Sequence, residues 1–168
     1  MAPAAPAAPK PAAVGAVAPI DRILAIVDGS PIWWSAYTQE LALVPNVPDA
    51  ARADLEKATL EHMIDDALIR SRAKLLHVEV DDAEIDEAFK LVMAQNNLDA
   101  AGLTTALVQV GMTVPLYREA LRQQILDVKT FRIWLMGQPP IEQTPDKVAA
   151  AHDQWIARLR RGGRIEKR

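Results

Sequence analysis

The 168-residue sequence contains no cysteine and few aromatic residues. Without cysteine, the chain can form neither a disulfide nor a Cys-based zinc site or thiolate nucleophile. Aromatic residues make up only 5% of the sequence, whereas Ala, Leu, Ile and Val supply most of its 50% hydrophobic content, a balance that favours helices over a β-sandwich or barrel. The composition therefore predicts a mainly α-helical domain that is large enough to bury a core.

Positive charge is not in excess, since 19 Lys and Arg residues face 22 Asp and Glu residues and give a net charge of −3. Nucleic-acid-binding domains are usually basic, so we expect no nucleic-acid partner. The charges are unevenly spread: residues 49–100 hold 13 acids and 6 bases, whereas residues 101–168 hold 6 acids and 11 bases. We expect the two parts either to attract each other within the fold or to form a dipolar surface that steers charged partners.

The sequence also lacks an uninterrupted apolar run of membrane-spanning quality. The longest uncharged run, Ala100 to Tyr117, contains two glycines, a proline and several polar residues, so we predict a core helix followed by a turn, with no stable membrane insertion. Residues 1–19 hold five of the twelve prolines among alanines and have no continuous apolar segment typical of a signal peptide. They are predicted to be a disordered tether, with a signal peptide absent from this chain.

Turn and cap residues divide the rest of the chain into extended segments at both ends and about six helices. Arg22–Val27 and Ser30–Ile32 are predicted as extended chain on either side of an Asp28-Gly29 turn, and residues 164–168 as a strand that can pair with the first. The predicted helices, each written from its cap residue or first residue to its end, are Ser35 to Val44, Asp49 to Leu76, Asp81 to Asn97, Asp99 to Gly111, Thr113 to Met136 and Thr144 to Gly162.

Few residues offer catalytic or metal-binding chemistry. The three serines lie in no recognisable nucleophile motif, so we predict no enzymatic activity and no cofactor. His62, Asp65 and Asp66 would share one face of the second helix, but such a charged face is more often solvated surface than a metal site, and we predict no metal. The six cations among residues 158–168 are interpreted as a solvated helix end, with contact to an anionic membrane as the alternative.

The strongest candidate site is apolar. Adjacent tryptophans at a strand-to-helix junction cannot easily both point inward, and an exposed Trp beside adaptable Met side chains suits unrelated apolar segments. Most of the set is expected to belong to the core, and a peptide-binding crevice is the functional alternative. The candidate peptide-binding residues are Trp33, Trp34, Tyr37, Leu41, Met63, Phe89, Met93, Met112 and Tyr117.

Four segments in a fixed order resemble the N-terminal chaperone domain of SurA-type periplasmic folding factors. Each segment is weak alone, and their order makes the match specific over roughly Ile20 to Met136. The segments are Asp21–Ile32, Leu60–Ala73, Val78–Asp86 and Gly111–Arg122. Residues 155–166 are also similar to the C-terminal helix and strand with which such proteins return to the N-terminal module.

The resemblance implies a domain organisation. Residues 20–136 would form the chaperone core, and residues 144–168 would complete the same domain. Family members carry parvulin-type prolyl isomerase domains between these two parts, where this sequence has only about residues 137–143 as a linker. The resemblance therefore implies a SurA-like protein that lacks the parvulin domain.

The resemblance also implies a function. We expect an ATP-independent periplasmic holdase that binds extended apolar or aromatic segments of unfolded outer-membrane proteins. A structural adaptor that binds one specific partner helix is the alternative, and a residual prolyl isomerase is a less favoured one. A homodimer formed by domain swapping is left open.

Two positions depart from the family pattern. Trp33 and Trp34 stand where family members usually have smaller aliphatic residues, which is expected to alter client preference. His77 stands where Gly often ends the long helix, and a non-Gly residue in a left-handed cap is strained by about 1 kcal/mol.

Overall fold

The computed structural model describes residues 21–44 and 46–168, so the predicted tether at residues 1–19 lies outside the described residues. Within them the chain forms six helices and three short strands, which confirms the predicted mainly α fold. The elements are β1 Ile23–Val27, β2 Ser30–Trp33, α1 Trp34–Ala42, α2 Asp49–Leu75, α3 Asp82–Gln95, α4 Ala100–Gln109, α5 Val114–Met136, α6 Pro145–Gly162 and β3 Ile165–Lys167.

The three strands form one antiparallel sheet in the order β2-β1-β3. Asp28 and Gly29 make the β1–β2 turn with φ values of 48° and 85°, as a two-residue hairpin with the right-handed twist of its strands requires. β3 pairs with β1, with Val27 opposite Ile165. The strand near the end of the sequence therefore lies beside β1 in the sheet. The predicted pairing of the terminal strands is confirmed.

The core contains two apolar clusters, and the long helix α2 contributes residues to both. Its Ile64 and Leu68 pack with Ala25 and Val27 of β1 in the first cluster. In the second cluster Ile69, one residue further along α2, packs against α5 and α6. Trp155 of α6 is 1% exposed there, so the C-terminal helix contributes one of the most deeply buried side chains in the described structure.

Three of the predicted helix caps form as the sequence indicates. The Asp81 carboxylate accepts a hydrogen bond from the Glu84 N–H at 2.8 Å, and the Glu84 side chain accepts from the Asp81 N–H in return. Asp99 caps α4, and Thr113 caps α5, where Pro115 lies in the first turn. Local side-chain chemistry therefore sets where α3, α4 and α5 begin.

The predicted cap of α1 is wrong, whereas that of α6 is correct in position. α1 begins at Trp34, and Ser35 lies inside its first turn, where its N–H donates to Asp21 Oδ1 at 3.2 Å and its hydroxyl also bonds the Asp21 carboxylate. These hydrogen bonds hold the pKa of Asp21 below its ordinary value. Thr144 occupies the cap position of α6 but makes no capping hydrogen bond with its side chain.

The run Ala100–Tyr117 forms α4, a turn and the start of α5, so the predicted helix and turn are confirmed. Gly111, with φ of 74°, makes the turn after α4. No single helix among residues 21–44 and 46–168 has the length and apolar character to cross a bilayer. Taken as a bent pair with 93° between them, α4 and α5 meet both criteria.

Ion pairs join the acidic and basic parts of the chain, which confirms the expected attraction between them. Three pairs hold α3 against α5, and Arg160 of α6 bridges two carboxylates of α2 at 2.6 Å each. The joined residues are Arg118 with Asp86, Arg122 with Asp82, Lys129 with Glu84, Arg160 with Glu61 and Asp65, and Lys167 with Glu61.

Candidate binding site

The tandem tryptophans are both partly exposed at the junction of β2 and α1. Trp33 is 39% and Trp34 41% exposed, so neither indole is taken into the core. The Arg22 guanidinium lies 4.2 Å from the centre of the Trp34 ring, a cation–π contact that holds this indole at the surface. The junction therefore presents two large apolar surfaces to solvent.

Tyr37 has a different role, because it is 7% exposed and anchors α1 to α2. Its hydroxyl donates to the carbonyl of Glu56 at 3.1 Å, and burial raises the pKa of the phenol above its ordinary value. Its ring lies 5.5 Å from that of Trp34. Tyr37 therefore supports Trp34 from below and offers little surface of its own.

Further along α1, Leu41 lines an open cavity of about 450 Å³ between α1 and the beginning of α2. Its other apolar lining residues are Ala42, Val44, Val47 and Leu55, and Val44 is 48% exposed. Trp34, Tyr37 and Leu41 follow one another at spacings of three and four residues, so they lie along the same face of α1. We call this space the α1–α2 cavity.

A second cavity, of about 360 Å³, lies between α1, α2 and α5. Leu43, Met112 and Leu116 are among its apolar lining residues, and Glu40 and Glu119 also line it. We call it the α1–α5 cavity. Because Leu41 of α1 lines one cavity and Glu40 of α1 the other, α1 forms the wall between them.

Four of the nine candidate residues lie on or beside α1: Trp33 and Trp34 at its start, Leu41 in the α1–α2 cavity and Met112 in the α1–α5 cavity. Tyr37 lies beneath Trp34. The other four lie elsewhere: Met63 packs against the core cluster at the sheet, Phe89 of α3 and Tyr117 of α5 have ring centres 6.0 Å apart, and Met93 is half-buried on α3. The aromatic pair is covered in addition by Arg118, whose guanidinium lies 5.9 Å from the Phe89 ring.

Sequence reasoning missed five apolar cavity residues larger than alanine, Leu43, Val44, Val47, Leu55 and Leu116. Val44 could have been found, because it continues the spacing of Trp34 and Leu41 beyond the helix end. Leu55 and Leu116 carry no local signal, since the fold alone brings α2 and α5 to α1.

The acidic and histidine side chains of α2, α5 and α6 form ion pairs around a third cavity of about 400 Å³. His152 Nε2 lies 3.1 Å from both carboxylate oxygens of Asp127, and this hydrogen bond raises the pKa of His152. Asp66 is half-buried, which raises the pKa of its carboxyl, and it lies 3.8 Å from the exposed His62. In the part of the chain that the structure describes, no set of such side chains is arranged to hold a metal ion.

Residues 20–130, more than half of the chain, match the family model described as the SurA N-terminal domain. The chain belongs to the SurA N-terminal domain family. The matched residues include α1, the tandem tryptophans and the residues that line the two cavities beside α1. The predicted resemblance is therefore confirmed.

Curated relatives of this SurA-family chain are described as chaperone SurA. It is 30% identical over 112 residues to the protein of Alkalilimnicola ehrlichii, an alignment that covers 63% of this chain and 26% of the relative. It is 40% identical over 75 residues to the protein of Ralstonia nicotianae, which covers 45% of this chain and 15% of the relative. The chain thus spans about a quarter or less of these relatives' length.

A solved structure shares the fold. It comes from work on the virulence factor PEB4 and the periplasmic protein Cj1289, two SurA-like chaperones of Campylobacter jejuni. The TM-score is 0.52 at 18% identity, over 71% of this chain and 44% of the other.

In the present SurA-family domain α5 ends at Met136 and α6 begins at Pro145, so no parvulin domain is inserted between them.

Proposed function

We propose that this SurA-family domain is an ATP-independent periplasmic holdase that binds extended apolar or aromatic segments of unfolded outer-membrane proteins. The observation that carries the proposal is the pair of indoles, each about two-fifths exposed, at the start of α1, a helix with an open cavity of mixed apolar and polar lining on either side. We call Trp33 and Trp34, with Leu41 and Met112 of the adjoining cavities, the α1 surface. Exposed aromatic surface of this kind is commonly used in binding, because the rings bury a large apolar area on contact with a partner.

The expected affinity is modest. Client side chains that cover the indoles and enter the cavities gain roughly 25 cal/mol per Å² of apolar area removed from water. Ordering a flexible client offsets much of this gain, so we expect reversible binding in the micromolar range. Such weak binding suits a carrier that has to release its client without a nucleotide cycle.

The test is the double variant Trp33→Ala/Trp34→Ala. We expect it to lose most of its ability to suppress aggregation of an unfolded outer-membrane protein, measured by light scattering, while the far-UV circular dichroism stays unchanged. Leu91→Ala and Val108→Ala are matched controls, because these side chains are 57% and 67% exposed but lie on α3 and α4. Undiminished protection by the double variant would remove the tryptophans from the site.

Client selectivity separates the holdase from an adaptor. Several unrelated unfolded peptides should compete for the α1 surface with similar affinities. A single tight partner of fixed stoichiometry would contradict the holdase and support a structural adaptor. We expect no acceleration in a prolyl-peptide isomerisation assay, and measurable turnover would contradict a purely binding function.

A further inference from the structure

A separate apolar cavity of about 320 Å³ lies between the second half of α2, the end of α5 and α6. We call it the α2–α6 cavity. None of its lining residues belongs to the α1 surface. Leu75, one of its lining residues, is 70% exposed. The apolar lining residues are Leu68, Leu75, Trp134, Trp155 and Leu159.

Two arginines line the same cavity from two different helices. Arg72 comes from α2 and Arg158 from α6, and both are exposed. Within residues 21–44 and 46–168, neither guanidinium takes part in an ion pair or donates a side-chain hydrogen bond, although Arg118, Arg122 and Arg160 all do. The two charges beside this apolar space therefore have no partner in the described structure.

Arg72 lies in the last turn of α2, where positive charge is favourable, whereas Arg158 lies before the last turn of α6. The last carbonyls of α2 already accept backbone hydrogen bonds, Ala73 from Val78 at 2.9 Å and Lys74 from His77 at 3.2 Å. Asp28 also lines the cavity, and its carboxylate accepts the Arg164 N–H at 2.8 Å. The cavity thus combines apolar walls with two guanidiniums and one carboxylate that is already engaged.

We propose that the α2–α6 cavity binds the C-terminal end of an unfolded polypeptide whose last side chain is apolar. The side chain would enter between Leu68, Leu75 and Trp134, and the α-carboxylate would pair with Arg72 and Arg158. Guanidinium groups match a carboxylate in charge and in hydrogen-bonding geometry. This inference rests on the proposed holdase function, because unfolded clients supply such chain ends.

The shape of the site favours a chain end over other anions. A terminal residue carries its apolar side chain and its carboxylate on the same carbon atom, which matches guanidiniums that border apolar walls. An internal Asp or Glu places the carboxylate on the side chain and leaves the apolar walls uncovered. A concave space of this volume also suits a single residue better than the flat surface of a membrane.

The test compares two labelled pentapeptides of identical sequence that end in Phe, one with a free carboxylate and one with a C-terminal amide. Fluorescence anisotropy should show the free acid binding about tenfold more tightly, because only the acid can form charged hydrogen bonds with both arginines. Added salt should reduce this difference. Equal affinity of the acid and the amide would overturn the proposal.

The double variant Arg72→Gln/Arg158→Gln tests whether the preference for the free acid comes from these two arginines. It should bind both peptides equally, with an unchanged melting temperature, because neither guanidinium has a partner in the described fold. Arg132→Gln is the matched control, since Arg132 is an exposed arginine of α5 that does not line this cavity, and it should keep the preference for the acid. A preference that survives in the double variant would place the chain-end site elsewhere and overturn the proposal.

Two further measurements separate this inference from the holdase. The double arginine variant should still suppress aggregation of a client whose C terminus is amidated, because the α1 surface is intact. Binding to phosphatidylglycerol vesicles should be the same for the wild type and the variant. Vesicle binding that is lost in the variant, without any acid preference in the peptide assay, would assign the arginines to a membrane surface and overturn the chain-end site.

Discussion

His77 occupies a left-handed backbone position at the end of α2, with φ of 54°. The His77 and Val78 N–H groups donate to the carbonyls of Lys74 and Ala73, the pattern of a Schellman motif in which Gly is the usual residue. The strain expected from the sequence is thus present in the structure. The same motif ends α3 at Asn97, with φ of 53°, where the residue type tolerates this conformation better.

We expect His77→Gly to stabilise the domain by about 0.5–1 kcal/mol, because relief of left-handed strain exceeds the added backbone entropy of the unfolded chain. Denaturant unfolding measures the gain. Asn97→Gly is the matched control and should gain less. A loss of stability in His77→Gly would show that the imidazole makes a contact that outweighs its backbone strain.

Gly162 and Gly163 are neighbours at the end of α6 whose surroundings differ. A Cβ built at Gly163 would lie 2.3 Å from Leu68 Cδ2, in the buried cluster below the sheet, whereas one built at Gly162 meets nothing within 4 Å. We expect Gly163→Ala to destabilise the domain by about 1–3 kcal/mol, the usual cost of overpacking. Gly162→Ala should be neutral or stabilising. Equal melting temperatures of the two variants would contradict the close approach.

Whether the hydrogen-bond partner of a capping residue could be predicted depends on how far apart the two residues lie in the sequence. The Asp81, Asp99 and Thr113 caps each bond an N–H three residues away, so the local sequence contains both partners. The first turn of α1 is instead bonded by Asp21, fourteen residues before Ser35. No local pattern contains that pair, because the β1–β2 hairpin lies between the two residues and brings them together.

At the scale of elements, α6 is held to α5 by the Asp127–His152 pair as well as by apolar contacts. The Asp127 hydrogen bond raises the pKa of His152 above its ordinary value of 6.5. The charged imidazole is therefore favoured in the folded state. The stability from this pair is fully present below pH 6.5 and is lost as the pH rises through the raised pKa.

We expect Asp127→Asn to lower stability by about 0.5–1 kcal/mol near pH 6, as is usual for a partly exposed pair. The difference from the wild type should shrink as the pH rises above the raised pKa of His152. Melting curves at several pH values between 6 and 9 provide the measurement. His77→Gln is the control, because this exposed histidine forms no ion pair in the described residues. A difference that is independent of pH would exclude the pair as its source.

Element packing also decides how much of the candidate site could be predicted. Helical spacing indicates that Trp34, Tyr37 and Leu41 share one face of α1, and the structure agrees. Helical spacing does not indicate that α2 covers Tyr37. It also does not indicate that Met112 lies on the far side of α1, or that Phe89 and Tyr117 pack against each other. Those placements depend on helix crossings between segments far apart in sequence.

At the scale of the whole molecule, residues 144–168 complete both halves of the core. α6 buries Trp155 against α2 and α5, β3 pairs with β1, and Arg160 bridges Glu61 and Asp65. These contacts link the last residues of the chain to the first described strand and to the central helix. The matched family region ends at residue 130, so this closure lies beyond it.

Removal of Thr144 to Arg168 should therefore lower the free energy of unfolding by several kcal/mol and expose the inner faces of α2 and α5. Loss of the Trp155 side chain alone is expected to cost about 3–5 kcal/mol, so Trp155→Ala in the 168-residue chain should reproduce much of the effect. Denaturant unfolding and binding of a dye for exposed apolar surface give the two readouts. An unchanged unfolding midpoint in both variants would mean that α6 and β3 are peripheral, and that the core closes on residues 21–136 alone.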